Sequence, residues 1–474
     1  MINHLNAAQS EQQRQWFQTL ITHSDSISLG QHLPWVKHLQ NKARQELQSL
    51  PLVQRKQELW RYSHAEKLFK QPFYPQTNNS DNCYQAGLES EATLSTDSFK
   101  LVFVNGRYNA TLSSTLVVNN ELAEGVIVGN LHAVLQSHAN LVMQCFNQTA
   151  RQGEDVFSAL NTALMSDGVF IYIDQQVTLP QPIEVLYLSG PAEKSSSGQD
   201  SDSHTQESRK MANLRNVIIL QAGAKLSLIE RFSGEKDFHY FNNNLTNVVL
   251  EQGASIKHSI LQDESNTAFH LNSLFLSLFK DSTYQGQHIA LGSSWSRTNY
   301  TAKFKGTGAT CELKGLYTVA NQQLNDVHLD INHAVPGCTS SEFFKGILYG
   351  EGKAVFDGHV LVEKQSQFSD ASMKNDNLML TENAEVNTKP QLEIYADNVK
   401  CSHGTTVGQI DEQQLFYLRS RGIEESRAKK LLCLGYASEI MDAINEPLFQ
   451  KQVKSILDVR LNEGLLTSSS EKSS

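Results

Sequence analysis

A small turn motif recurs between short strand-like segments, and this repeat most constrains what the chain can fold into. Each copy places Gly or Asn just before a segment that opens with a small or apolar residue, and the copies lie at 222–226, 252–256, 307–311, 351–355 and 382–386. Gly and Asn tolerate the left-handed backbone conformation, so we expect the same corner in each copy. The spacing is too irregular for propeller blades or leucine-rich repeats. It favours a parallel β-helix, whose coils vary in length; a β-sandwich with glycine turns is the alternative.

Helical patterns flank this β region on both sides. Residues 1–85 form an N-terminal helical region, in which apolar residues recur at helical spacing and Pro34 is placed to begin a helix. Residues 86–410 form the parallel β-helix core, with alternating apolar runs typical of short strands. Within it, residues 191–213 are rich in Ser, Gln and mixed charges, which predicts a disordered surface insertion.

The C-terminal pattern is helical and contains several residues that typically begin or end helices. Asp411 can cap a first helix that ends before Gly422, and a second is expected to stop at Gly435. Ser438 and Pro447 then open two further helices. We therefore expect a compact helical module over residues 411–466, followed by a disordered tail over residues 467–474.

Composition excludes several classes of function. The net charge is −10 and the basic residues are scattered, which argues against nucleic-acid binding, and no apolar run is long enough to span a membrane. The six cysteines lie far apart without a CxxC pair, which argues against a zinc finger or disulfide scaffold. The N-terminal segment lacks the features of a secretory signal. We therefore expect a protein of the reducing cytoplasm with free thiols.

Enzyme signatures nearly occur and then fail. Residues 346–353 resemble a phosphate-binding loop, but Ile347 and Ala354 stand where a glycine and a hydroxyl are needed. Residues 306–311 lack the third glycine of a dinucleotide fingerprint. Neither HExxH nor GxSxG occurs. Metalloprotease and serine-hydrolase functions therefore have no support in the sequence, and the two glycine-containing runs are better interpreted as β-turns.

Two clusters of polar residues could bind a metal. Cys401 and His403 stand two residues apart on a predicted strand, so a thiol and an imidazole share one face. Both are suitable ligands for iron or zinc, but from the residues alone a structural pair is the preferred interpretation. The second cluster, residues 325–333, is a weaker candidate: His328 shares a face with several polar residues, whereas His333 lies on the other face or at the turn. A solvated strand face is the preferred interpretation there.

Several longer runs resemble one known family. They are 333–348, 393–409 and 415–423, together with Gln57 to Tyr62 and Val104 to Tyr108. These runs closely resemble the SufB/SufD family of the SUF iron–sulfur cluster assembly system, over about residues 50 to 460. The Cys401-Ser402-His403-Gly404 form resembles the SufD branch of that family, whereas SufB has a Glu-rich counterpart at this strand.

The resemblance implies a right-handed parallel β-helix flanked by helical ends, in a non-catalytic subunit of the assembly scaffold. It implies pairing with a SufB-like paralogue through the β-helices, and a homodimer in isolation. It further implies that the C-terminal module binds a SufC-like ABC ATPase, which would hydrolyse the ATP. Cys401 and His403 then match interface positions where a transient iron–sulfur cluster or iron would bind. The resemblance leaves open whether a reduced flavin binds to the complex. Candidate ATPase-docking residues follow in the C-terminal module: Leu415, Phe416, Tyr417, Arg419, Arg421 and Gly422.

Two other functions remain as alternatives. A purely structural β-helix partner would have an inert Cys401 and His403. A carbohydrate-active β-helix enzyme would need clustered carboxylates and is usually secreted, and neither feature is present in the sequence.

Overall fold

The fold is described by a computed structural model over residues 2–24, 29–30, 32–75, 98–114, 124–149, 155–191 and 209–470. The N-terminal region contains two helices, α1 (Ile2–Ser24) and α2 (Pro34–Ser49), and two short 3₁₀ helices (Glu58–Trp60 and Ala65–Lys70). Pro34 occupies the first position of α2, as its fixed φ predicts.

Strands form two sheets of ten strands each, and successive long strands alternate between them. This alternation with parallel pairing defines a parallel β-helix and confirms the predicted fold. Sheet A consists of β1 (Phe73–Pro75), β4 (Val126–Asn130), β5 (Val169–Ile173), β7 (Arg209–Leu220), β9 (Tyr240–Leu250), β11 (Phe269–Leu278), β13 (Trp295–Phe304), β15 (Leu324–His333), β17 (Lys353–Val362) and β19 (Glu385–Ile394). Sheet B consists of β2 (Phe99–Val104), β3 (Arg107–Tyr108), β6 (Ile183–Ser189), β8 (Lys225–Gly234), β10 (Ser255–Asp263), β12 (Thr283–Ala290), β14 (Thr310–Val319), β16 (Thr339–Leu348), β18 (Asp370–Met379) and β20 (Lys400–Gln409).

The corners explain part of the repeat. Gly223, Gly253 and Gly308 all adopt the left-handed conformation that the motif predicts. In the corner before β17 the left-handed residue is Gly350 and not the predicted Gly352. Asn383, in the last copy, is absent from the positive-φ residues of the described chain. The motif therefore predicts where the corners lie, although in the last two copies the predicted Gly or Asn does not adopt the left-handed conformation.

Side chains alternate between the lumen of the β-helix and its outer surface. The lumen is filled by one continuous apolar core, in which Phe344 and Phe356 face each other across the two sheets with ring centroids 5.6 Å apart. Helices and the N-terminal region pack on the outer face of sheet A, and C-terminal helices pack on the outer face of sheet B. The middle coils are thus buried on both faces, as parallel sheets require.

Three helices that the sequence analysis missed lie within the predicted β region: α3 (Leu131–Ser137), α4 (Ala139–Thr149) and α5 (Val156–Leu164). They pack their apolar faces on sheet A. Residues 209–213 of the expected insertion at 191–213 belong to β7, which begins at Arg209. Residues 192–208 lie outside the described residues.

The C-terminal module consists of α6 (Glu412–Ser420), α7 (Glu425–Met441) and α8 (Pro447–Ser470). Asp411 caps α6 by accepting a hydrogen bond from the Gln413 amide, and Gly422 is left-handed, both as predicted. The expected stop at Gly435 is wrong, since α7 runs through it to Met441. The last helix continues to Ser470, beyond the start of the expected tail, and residues 471–474 lie outside the described part of the chain. Within the described chain, the search for a long apolar helix that could cross a membrane found none.

Candidate functional site at the open end of the β-helix

No residue that the structure describes forms a strand beyond the last coil of the β-helix. Among the described residues, β19 pairs only with β17 and β20 pairs only with β18, so each has one unpaired backbone edge. Nearly every residue of β20 is exposed, and β19 is exposed or half-buried throughout. Natural sheets normally protect such edges, so an uncovered pair of parallel edges is an expected docking point for another chain.

Strand register places Cys401 and His403 on the lumen side of this last coil. Cys401 aligns with Ala371, Ser340 and Cys311 of the preceding strands, and those side chains face the lumen. His403 aligns in the same way with Met373, Glu342 and Leu313. A further coil would therefore bury both Cys401 and His403. The sequence placed the two side chains on one face, and the structure adds that this face continues the lumen.

The environments of the two candidate ligands differ. Cys401 is half-buried against the lumen core, and burial followed by the nearby Asp370 carboxylate raises the pKa of its thiol. The thiol is therefore protonated near neutral pH and must release a proton when it binds a metal. His403 is exposed and open to solvent from the end of the lumen.

These two side chains do not complete a metal site within this chain. No group of three or more His, Cys, Asp or Glu side chains suited to a metal ion occurs among residues that the structure describes. Iron and zinc sites ordinarily use four or more ligands. Any metal or cluster held by Cys401 and His403 would therefore need ligands in addition to these two side chains.

The weaker candidates, His328 and His333, lie elsewhere and point in opposite directions. His328 is on the outer face of β15 and pairs with Asp326 at 2.7 Å, while Asp326 also pairs with Arg297 at 3.1 Å. His333 is fully buried in the lumen against Phe304, and burial lowers its pKa to about 4. The first fits an outer-face ion-pair network and the second a neutral core histidine, so the structure does not bring them to the open end.

The candidate docking residues of the C-terminal module form a mixed surface on α6. Leu415 is buried, but Phe416 and Tyr417 are 73% and 55% exposed. Arg421 lies over the Tyr417 ring at 4.6 Å, and Arg419 pairs with Glu425 at 3.1 Å. Gly422 follows as the left-handed residue between α6 and α7. Two large exposed aromatic side chains on one short helix are typical of a protein-binding surface.

Sequence reasoning missed one buried acid close to this end. Glu342 lies on the lumen face of β16, is 1% exposed, and neither carboxyl oxygen makes a hydrogen bond of normal geometry within the described chain. Burial raises its pKa to about 8, against a smaller opposing effect of the nearby Ser340 hydroxyl. A polar residue at the lumen position of an alternating strand was visible in the sequence, but its isolation depends on the neighbouring coils.

Taken together, these features define a class: a parallel β-helix with helical ends, whose last coil presents a thiol and an imidazole at an end that the described residues leave uncovered. Two family models match the chain, one described as "SUF system FeS cluster assembly, SufBD core domain" over residues 203–436 and one as "SufBD protein N-terminal region" over residues 10–185. The chain belongs to the SufBD family, and within it the protein is a SufD-like iron–sulfur cluster assembly protein.

Individual relatives agree with this assignment. The chain is 30% identical to the iron–sulfur cluster assembly protein SufD of Escherichia coli, over 89% of this chain and 93% of that protein. It is 30% identical to an iron–sulfur cluster assembly SufBD family protein of Synechocystis, over 76% of this chain and 77% of the relative. A chloroplastic protein of Arabidopsis thaliana, ABCI7, is 27% identical over 88% of this chain and 84% of its own length.

Proposed function

We propose that this chain is a non-catalytic scaffold subunit that pairs with a SufB-like subunit and supports iron entry and cluster assembly where the two meet. The observation that carries the proposal is the uncovered last coil, whose lumen face presents Cys401 and His403 as an incomplete ligand set. A partner that covers this end would bury both side chains and supply the missing ligands.

Pairing through the open end follows from the backbone and from the exposed side chains around it. Ile394 and Val407, at the rim of the last coil, are 41% and 51% exposed despite being apolar. A partner strand laid along β19 or β20 would satisfy the free backbone groups and cover these side chains. A SufB-like β-helix, built from the same kind of coil, fits this description. A second copy of this chain would compete for the same end, so we expect a homodimer in isolation.

The chemistry at the end suits iron as a cargo that is later passed on. The exposed imidazole of His403 is of a ligand type that binds ferrous ions. The Cys401 thiol binds only after losing its proton, so loading releases one proton per thiolate formed. Because the described part of the chain brings only these two candidate ligands to the open end, we expect a cluster to be stable only in the complex.

The C-terminal module would dock a SufC-like ATPase. Strand β20 runs through Ile410 directly into α6, so the exposed Phe416 and Tyr417 are joined by a short, continuous chain segment to Cys401 and His403. Movement of a docked ATPase would therefore act on the strand that bears the candidate ligands. ATP hydrolysis belongs to the partner in this proposal.

The test is co-expression with SufB-like and SufC-like chains, followed by gel filtration and by iron and sulfide analysis of the complex. We expect His403→Ala and Cys401→Ser to reduce cluster content while the complex still assembles. His359→Ala is the matched control, since His359 lies on the outer face of β17 and pairs with Asp330 at 3.0 Å. Full cluster loading in the Cys401 and His403 variants would show that these side chains are inert and that the chain is a structural partner only.

ATPase docking has its own test. Replacing Phe416 and Tyr417 together by Ser should abolish co-elution with the ATPase and leave pairing with the SufB-like subunit intact. A chain truncated after Ile410 that still binds the ATPase would rule out docking by the C-terminal module.

A further inference from the structure

The outer face of sheet B changes character as it approaches the open end. In one register column the side chains are Leu261, Ile289 and Leu316, all buried beneath the C-terminal helices. The same column then continues through three polar residues on successive strands. These are Lys345 on β16, Asp376 on β18 and Thr406 on β20.

The polar residues link the C-terminal helix α7 to the last strand. The Lys345 ammonium is 2.8 Å from the Glu439 carboxylate and donates a 3.1 Å hydrogen bond to the backbone carbonyl of Tyr436, whose ring lies beneath it at 4.6 Å. One strand further on, the buried Asp376 accepts a 2.7 Å hydrogen bond from the Thr406 hydroxyl. The backbones of Lys345 and Asp376 lie in register on adjacent strands about 5 Å apart, and the Asp376 carboxylate also pairs with Lys374 at 2.7 Å.

Strand β20 has little else to hold it on this face. Its outward positions are Ser402, Gly404, Thr406 and Gly408. A Cβ atom added at Gly404 or Gly408 would have no neighbouring atom within 4 Å. The strand that carries Cys401 and His403 therefore has open space on its outer side, and Thr406 forms its one side-chain hydrogen bond there in the described structure.

A polar contact can separate at lower cost than an apolar one. Parting Leu261, Ile289 and Leu316 from the helices would expose apolar surface at about 25 cal/mol per Å². Hydrogen bonds and ion pairs exchange with water at a net cost of about 1 kcal/mol each. The neighbouring outer positions Ile347 and Leu378 belong to the same apolar cluster, so the helices stay fixed on β16 and β18, and β20 is the strand held on its outer face by a polar contact.

We infer that the column Lys345, Asp376 and Thr406 is a joint that couples helix α7 to strand β20, and that these three are positioning residues for the Cys401 and His403 pair. The coupling itself is a property of the isolated chain. Its use by an ATPase rests on the proposed function. Energetic coupling is reciprocal, so a substitution at either end of the joint should change the local stability of the other end.

Amide hydrogen exchange on the isolated full-length chain tests the joint. Lys345→Met should raise exchange at residues 404–409 about fivefold, the expected effect of losing roughly one net hydrogen bond. Thr406→Val keeps the side-chain shape and should raise exchange at residues 436–441 from the opposite end. Lys353→Met and Ser402→Ala are the controls: Lys353 pairs with Glu385 on sheet A, and Ser402 lies on the outer face of β20. Unchanged exchange at the far end in both test variants, or an equal rise in the controls, would overturn the coupling.

The alkylation rate of Cys401 is a second measurement. Its response to ATP should not depend on Lys345 if Lys345, Asp376 and Thr406 only stabilise the fold. Cys145, Cys311, Cys338 and Cys433 are buried, and Cys83, which lies outside the described residues, is replaced by Ser. In a complex with the ATPase, we expect ATP to change the alkylation rate of Cys401 in the native chain and not in Lys345→Met. An ATPase that fails to bind would contradict the proposed function and leave the exchange result to decide the joint. Equal ATP responses in both chains would show that the joint does not transmit the movement.

Discussion

The middle coils and the last coil are built from the same repeat but have opposite relations to their surroundings. In the middle coils, lumen side chains such as Phe344 are fully buried, and helices cover the outer face. In the last coil, the corresponding positions hold Cys401, His403 and Val407, which are half-buried or exposed. Lumen positions therefore stabilise the fold in the middle coils and present half-buried or exposed candidate ligands in the last coil.

The lumen positions of the two regions differ because no further coil of the described chain covers the last one. A residue in the column of Phe344 contributes by packing, because atoms surround it on every side. A residue in the last coil contributes little to packing until a partner supplies the missing layer. In the isolated chain, core substitutions should therefore lower the free energy of unfolding much more in the middle coils than in the last coil. This difference should become smaller when a partner covers the end.

The largest expected difference comes from truncating lumen side chains. Phe344→Ala should lower the free energy of unfolding by about 3–5 kcal/mol, since it leaves a cavity in a fully buried site. Leu392→Ala, in the half-buried lumen layer of β19, should lower it by about 1 kcal/mol. Urea unfolding of the isolated chains, at concentrations where gel filtration shows the monomer, measures both values. Equal losses would mean that the last coil is already covered, for example by a second copy of the chain.

The next difference concerns buried charge. Glu342 has a folded pKa of about 8 against 4.5 for an ordinary Glu, so it is neutral in the folded state and ionised in the unfolded state between those values. Its favourable contribution is complete below pH 4.5 and is lost as pH rises toward 8, at about 1.4 kcal/mol per pH unit. Glu342→Gln should therefore match the native chain near pH 4.5 and exceed its stability by about 3 kcal/mol at pH 7.

The control for this prediction is Glu382→Gln, because Glu382 is exposed in the turn before β19. Its stability relative to the native chain should be nearly independent of pH over the same range. A Glu342→Gln chain whose advantage does not grow between pH 4.5 and pH 7 would show that the native carboxyl has found a partner, such as a bound cation or an ordered water.

Part of the difference between the middle coils and the last coil could be predicted from the sequence. Cys401 and His403 on one strand face, the Asp411 cap and the corner at Gly253 follow from local rules on alternation, capping and left-handed glycines. The open end could not be predicted in this way, because it depends on which strand lacks a neighbour. Gly435 illustrates the same limit: a glycine that locally favours a helix end lies within α7, whose buried face packs on sheet B.

The smallest and most specific difference concerns two glycines that a sequence cannot distinguish. Gly315 faces the lumen in a middle coil, and a Cβ atom there would lie 2.2 Å from the Phe344 ring, so Gly315→Ala should destabilise the chain by about 1–3 kcal/mol. Gly404 lies on the outer face of β20 with open space around it, so Gly404→Ala should be neutral or stabilise the strand by about 0.5 kcal/mol. Thermal unfolding of the two variants side by side measures the difference. A destabilising Gly404→Ala would mean that the outer face of β20 is already packed in solution, and the strand that carries Cys401 and His403 would then lack the freedom that the polar joint requires.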